Sequence, residues 1–125
     1  MKLRIRGNSL RLRLTRGEVD ALAKDGRVED AIAFGPTDAA RLSYAVVARE
    51  AKGVSAEWTG RAIAVVVPVA QARAWAASEE VGIEHEQPVG AGATLQVTIE
   101  KDFACLTPRS GGDDEDAFPN PNATC

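Results

Sequence analysis

Six basic residues and no acid fall within residues 1–16. Lys2, Arg4 and Arg6 alternate with Leu3 and Ile5, and Arg11 and Arg13 alternate with Leu10, Leu12 and Leu14. A period of two is that of a half-buried strand, so each run gathers its cations on one face. Gly7-Asn8-Ser9 between the runs is a turn signal. Pairing Ile5 with Leu10 sets Arg4 opposite Arg11 and Lys2 opposite Arg13. Like charges placed opposite one another destabilise a hairpin. Such a face is tolerated when it is solvated, paired with acids, or held against phosphates. Its chemistry is anion binding. Arginines in such a patch can hold phosphates. A plainer reading makes the cations a solvated face whose stems cover apolar surface. For Asn8 and Ser9 the plainer reading is turn formation alone.

Two weaker constellations lie further along. Asp113, Asp114, Glu115 and Asp116 form an acidic run, followed by Phe118-Pro119-Asn120-Pro121-Asn122. That segment suits docking on a protein partner, or pairing with the basic hairpin. Cys105 and Cys125, with His85 as a third ligand, are candidates for a soft metal ion. One histidine and no Cys-x-x-Cys spacing make this the weaker option. Cys105 also reads as a small buried residue at a strand end, and His85 as a strand residue between Glu84 and Glu86. No nucleophile–histidine motif and no phosphate-binding glycine loop is present, so no catalytic residue and no cofactor is expected. Trp58 and Trp75 sit on the apolar periodicity of their elements and read as core.

The elements that position these residues come as two similar units. After the hairpin, Thr15-Arg16-Gly17-Glu18 fits a capping box, Val19, Leu22 and Ala23 follow at helical spacing, and Gly26 is a stop signal. Residues 27–34 and 41–49 read as strands around the Gly35-Pro36 breaker. Residues 54–102 repeat this ββαββ plan at a spacing of 53, with Gly60 on Gly7, Trp58 on Ile5, Trp75 on Leu22 and Val81 on Val28. The chain of 125 residues is 45% hydrophobic and 26% charged, which is globular composition. Its net charge of −3 hides a +4 first unit, a −4 second unit and a −3 tail. The expectation is an α+β fold: an internally duplicated ββαββ unit, repeats 1–49 and 54–102, forming a mostly antiparallel β-barrel with two helices. Residues 1–106 make one domain, and residues 107–125 an extended or disordered tail. No apolar run reaches membrane-helix length. No signal peptide is visible, which points to a cytoplasmic protein with reduced thiols.

Arg4-Ile5-Arg6-Gly7-Asn8-Ser9-Leu10-Arg11-Leu12-Arg13-Leu14, followed by a helix and the strand from Val28, resembles the AbrB/MazE-type DNA-binding family. Members of that family build a swapped-hairpin barrel from two chains and bind DNA through basic first hairpins. Many are antitoxins with acidic tails that wrap a toxin, and others are transcriptional regulators. The resemblance implies a bacterial DNA-binding protein with Arg4, Arg6, Asn8, Ser9, Arg11 and Arg13 as DNA contacts, the arginines holding phosphates or reading guanine edges and Asn8 and Ser9 donating to phosphate or a base. The duplication would supply in one chain what the family makes from two. Thr15 stands where the family usually has proline, and the second hairpin is not basic. The whole chain also resembles a set of short bacterial proteins of unknown function, which brings no activity with it. Three functions follow as alternatives: duplex DNA binding through the hairpin, a protein-interaction module acting through the acidic tail, and metal binding.

Overall fold

The structure, a computed structural model, describes residues 1–103. Its strands are β1 (Lys2–Arg6), β2 (Ser9–Leu14), β3 (Arg27–Ala33), β4 (Arg41–Arg49), β5 (Ser55–Trp58), β6 (Ala62–Pro68), β7 (Gly82–Gly90) and β8 (Ala93–Lys101). Helix α1 (Arg16–Asp25) follows β2, and helix α2 (Val69–Ala77) follows β6. The order ββαββ therefore occurs twice, and the class is α+β.

The expected closed barrel is not what forms. The strands make two four-stranded mixed sheets, ordered β1-β2-β8-β7 and β3-β4-β6-β5. Each sheet takes one hairpin from each half of the chain. The hairpins meet along the parallel pairs β2–β8 and β4–β6, and the other pairings are antiparallel. The helices supply the cover that a closed barrel would draw from its own strands. Val19 and Leu22 of α1 and Ala72 and Trp75 of α2 join Leu12, Leu14, Val46, Val65, Val67, Val97 and Ile99 in one core. No helix among the described residues is long and apolar enough to cross a membrane.

Local chemistry explains the first unit. Gly7 adopts φ +55° between the closing pair Arg6 and Ser9. Asn8 does not share the positive φ, as in a II′ turn with glycine at its first central position. The capping box is complete: Thr15 Oγ1 accepts from the Glu18 N–H at 3.3 Å, and Glu18 Oε1 accepts from the Thr15 N–H at 2.9 Å. Gly26 ends α1 at φ +80° and donates its N–H to the Leu22 carbonyl. A residue with a Cβ resists that conformation. At the end of α2, Lys101 Nζ donates to the carbonyls of Trp75 (3.0 Å) and Ser78 (2.7 Å). A cation there complements the negative end of the helix dipole.

Glu18 also meets the amino group of Met1 at 2.8 Å. Partial burial pushes its carboxyl up, but hydrogen bonds from that amino group and from Thr15, with the amino charge, outweigh burial and hold it below the usual glutamate value. A carboxyl whose folded pKa is lowered stabilises the fold above its unfolded pKa, and that contribution is lost as pH falls through the folded value. Glu18→Gln should therefore lower the thermal midpoint at neutral pH. The two midpoints should converge in acid below the folded pKa, as thermal unfolding across a pH series would show.

The 53-residue spacing relates the ladders closely in places. It carries Lys2↔Arg13 onto Ser55↔Val66, and Ser9↔Gln96 onto Ala62↔Ser43. It fails at β7. Ile83, not Val81, takes the place of Val28, because Val28 pairs with Val46 and Ile83 with Ile99. Ile83 is 6% exposed and Val81 55%. Ile83 lies eight positions after Trp75, whereas Val28 lies six after Leu22, so the second unit has two more residues between its helix core position and its strand core position. The tryptophans also part company. Trp75 is core, but Trp58 is 63% exposed, and its counterpart Ile5 is 62% exposed. Both stand at the turn end of an edge strand, so alternation sets their face without covering them.

Candidate anion-binding face

The β1–β2 register is Lys2↔Arg13, Leu3↔Leu12, Arg4↔Arg11 and Ile5↔Leu10. Leu10, Leu12 and Leu14 go into the core. Their neighbours point to the other side, where Lys2, Arg4, Arg11 and Arg13 line one shallow depression. The structure thus brings together four of the seven candidate hairpin residues. Arg6 ends β1 beside the turn. Asn8 and Ser9 are engaged by the fold: Asn8 Nδ2 donates to the Thr94 carbonyl at 2.8 Å, and the Ser9 hydroxyl donates to the Arg6 carbonyl at 2.6 Å.

The parallel neighbour β8 puts acids at the margin of this face. Arg13 pairs with Glu100, its Nε donating at 2.9 Å and its Nη2 lying 2.7 Å from Oε1. Arg11 lies 3.7 Å from the same oxygen. Lys2 Nζ is 3.4 Å from Asp102, whose N–H donates to the Leu14 carbonyl. The Arg13–Glu100 contact is the more shielded one. Lys2 is largely solvated, and an exposed pair of that kind contributes about 0–1 kcal/mol.

Beyond β8, strand β7 places Glu84 opposite Thr98 and Glu86 opposite Gln96, and Gln96 Nε2 donates to Glu86 at 3.1 Å. The outer face of this sheet is therefore graded. It runs from cations on β1 and β2, through the partly neutralised β8, to carboxylates on β7. Neighbouring strands are about 4.8 Å apart, so the gradient spans about 14 Å. Glu100 and Asp102 were not candidates from sequence, because nothing local announces that β8 lies beside β2.

His85 is half-buried on β7, opposite Val97. Among the described residues no group of three His, Cys, Asp or Glu side chains is placed to hold a metal ion. Cys105 and Cys125 lie outside the described residues, as do Asp113, Asp114, Glu115, Asp116 and Phe118.

A protein-family model described as a family of unknown function, DUF7009, matches residues 1–122. Neither a curated protein nor a solved structure matches the chain.

Proposed function

We propose that this chain, which belongs to the DUF7009 family of unknown function, is a non-enzymatic protein-interaction module that holds an extended acidic segment of a partner on its basic hairpin. The observation that carries this is the graded face. Lys2, Arg4, Arg11 and Arg13 surround one depression, and the acids of β7 lie on the far side of the same sheet. A segment one strand wide fits the cationic half alone. A duplex with a major groove about 12 Å wide would extend across the face and meet Glu84 and Glu86.

A second reading is a bacterial DNA-binding regulator or antitoxin-like protein. The pairing of one hairpin from each half in each sheet supports it, since it parallels the swapped hairpins of the AbrB/MazE-type family. In this reading the two units are an internal duplication, supported by ladders related at a spacing of 53.

Fluorescence anisotropy separates the two readings. The probes are a labelled Glu-Leu-Glu-Leu-Glu-Leu peptide and a labelled DNA duplex, each titrated across a salt series. The interaction-module reading expects peptide binding that Arg4→Ala/Arg11→Ala weakens, with little duplex binding. DNA binding expects the duplex to win, with log K falling by about 0.9 per log unit of salt for every phosphate neutralised. Peptide affinity unchanged by the double substitution sinks the first reading. Absence of duplex binding at low salt sinks the second.

A further inference from the structure

Strand β1 is an edge: among the described strands only β2 pairs with it. Its turn fixes which backbone groups face outward. In a two-residue hairpin the residues flanking the turn exchange both hydrogen bonds, and bonded and non-bonded pairs then alternate. Arg6↔Ser9 is the flanking pair, so Arg4↔Arg11 and Lys2↔Arg13 are bonded pairs too. The N–H and C=O groups of Leu3 and Ile5 therefore point away from β2.

The corresponding edge in the other half is β5, and it is closed by a side chain. Ala56, the counterpart of Leu3, donates its N–H to Gln87 Oε1 at 2.7 Å, and its carbonyl accepts from Gln87 Nε2 at 3.0 Å. The Gln87 amide thus occupies the hydrogen-bonding groups that an added strand would use. Gln87 pairs with Leu95, and the matching pair in the first half is Ile32 with Leu42. The residue at the lock position for β1 is therefore Ile32, which has no group to donate or accept.

The two sides of β1 differ in chemistry. Lys2, Arg4 and Arg6 project to one side, and Leu3 and Ile5 to the other. On that second side, exposed Ile5 shares an apolar groove with Leu10, Trp58, Ile63 and Leu95. An added strand also presents alternate residues to opposite sides. It would need acids against the cations and apolar groups toward Ile5 and Trp58.

We propose that β1 is a docking edge that accepts, by strand addition, an extended segment of a partner protein in which acidic residues alternate with apolar ones. This rests on the interaction-module reading above and names its mode of recognition. Main-chain bonds to Leu3 and Ile5 supply affinity, and alternation supplies selectivity.

The test uses the full chain, the alternating Glu-Leu peptide, and a block peptide Glu-Glu-Glu-Leu-Leu-Leu of equal charge. Hydrogen exchange at the Leu3 and Ile5 amides should slow when the alternating peptide is added. Ile32→Gln, which transplants the lock, should weaken that peptide about tenfold, as should Ile5→Pro, which deletes one outward N–H. Proline is tolerated on an outward-facing edge position, and Ile32→Gln serves if Ile5→Pro fails to fold. Equal binding of both peptides with no change at Leu3 and Ile5 overturns strand addition while leaving the basic-face reading intact. No binding of either peptide overturns both. Protection of Leu3 and Ile5 without peptide, lost on truncation after Ser110, makes the chain's own residues 111–125 the occupant and overturns the partner assignment.

Discussion

Trp75→Ala should cost about 3–5 kcal/mol of folding stability, the range for removing a large aromatic side chain from a packed core. Trp75 is 2% exposed and the largest of the fully buried side chains. It stands where α2 meets the shared core, and Lys101 Nζ lies 5.3 Å from its ring centre. The ammonium thus touches both the ring and the end of α2, so truncation also removes a cation–π contact. Domains of this size are stable by about 5–15 kcal/mol, so the variant would lose a large share of the total. A thermal midpoint more than about 10 °C lower is expected. Trp75→Phe should be far milder. The Trp75 indole N–H is buried without a hydrogen-bond partner among the described residues. Phenylalanine removes that unsatisfied donor while keeping most of the apolar volume. Urea unfolding of the two variants checks the contrast. Equal losses would mean that the indole N–H is not the liability its surroundings indicate.

The basic hairpin was readable because its determinants are local. A period of two, a glycine at the turn and apolar residues on one side lead to the register Lys2↔Arg13 through Ile5↔Leu10. Helix α1 was readable for the same reason, since Thr15, Glu18 and Gly26 mark its ends. Burial at strand edges was not. Ile5 and Trp58 carry the right spacing for core, but spacing does not say whether another element lies over them. The spacing of 53 broke at Ile83 because an ungapped comparison cannot sense the two extra residues between Trp75 and Ile83. The acids beside the hairpin were hidden by distance along the chain. Arg13 and Glu100 are 87 residues apart, and the parallel pairing of β2 with β8 leaves no turn between them to mark it. The closed β5 edge was equally illegible, because Gln87 is an ordinary polar strand residue until Ala56 is beside it.

Substitutions at Glu100 and Arg11 should move affinity in opposite directions. Glu100 is an internal counter-ion: it sits against Arg13 and within 3.7 Å of Arg11. An incoming carboxylate must compete with it for the same guanidinium groups. Glu100→Gln removes the competing charge but keeps an oxygen that can accept from Arg13. Affinity for the alternating Glu-Leu peptide should therefore rise, by about threefold to tenfold. Arg11→Glu places a like charge where the peptide's acid must lie, and affinity should fall about 10- to 100-fold. Both shifts should shrink as salt rises, since ions screen partly exposed charges. Anisotropy titrations at two salt concentrations measure all of this, with circular dichroism to confirm that the variants fold. The sign at Glu100 is the discriminating result. If Glu100 only holds Arg13 in place for the fold, Glu100→Gln should leave affinity unchanged or lower it. A rise identifies the carboxylate as a stand-in for the ligand, and so places the ligand on β1 and β2 rather than elsewhere on the sheet.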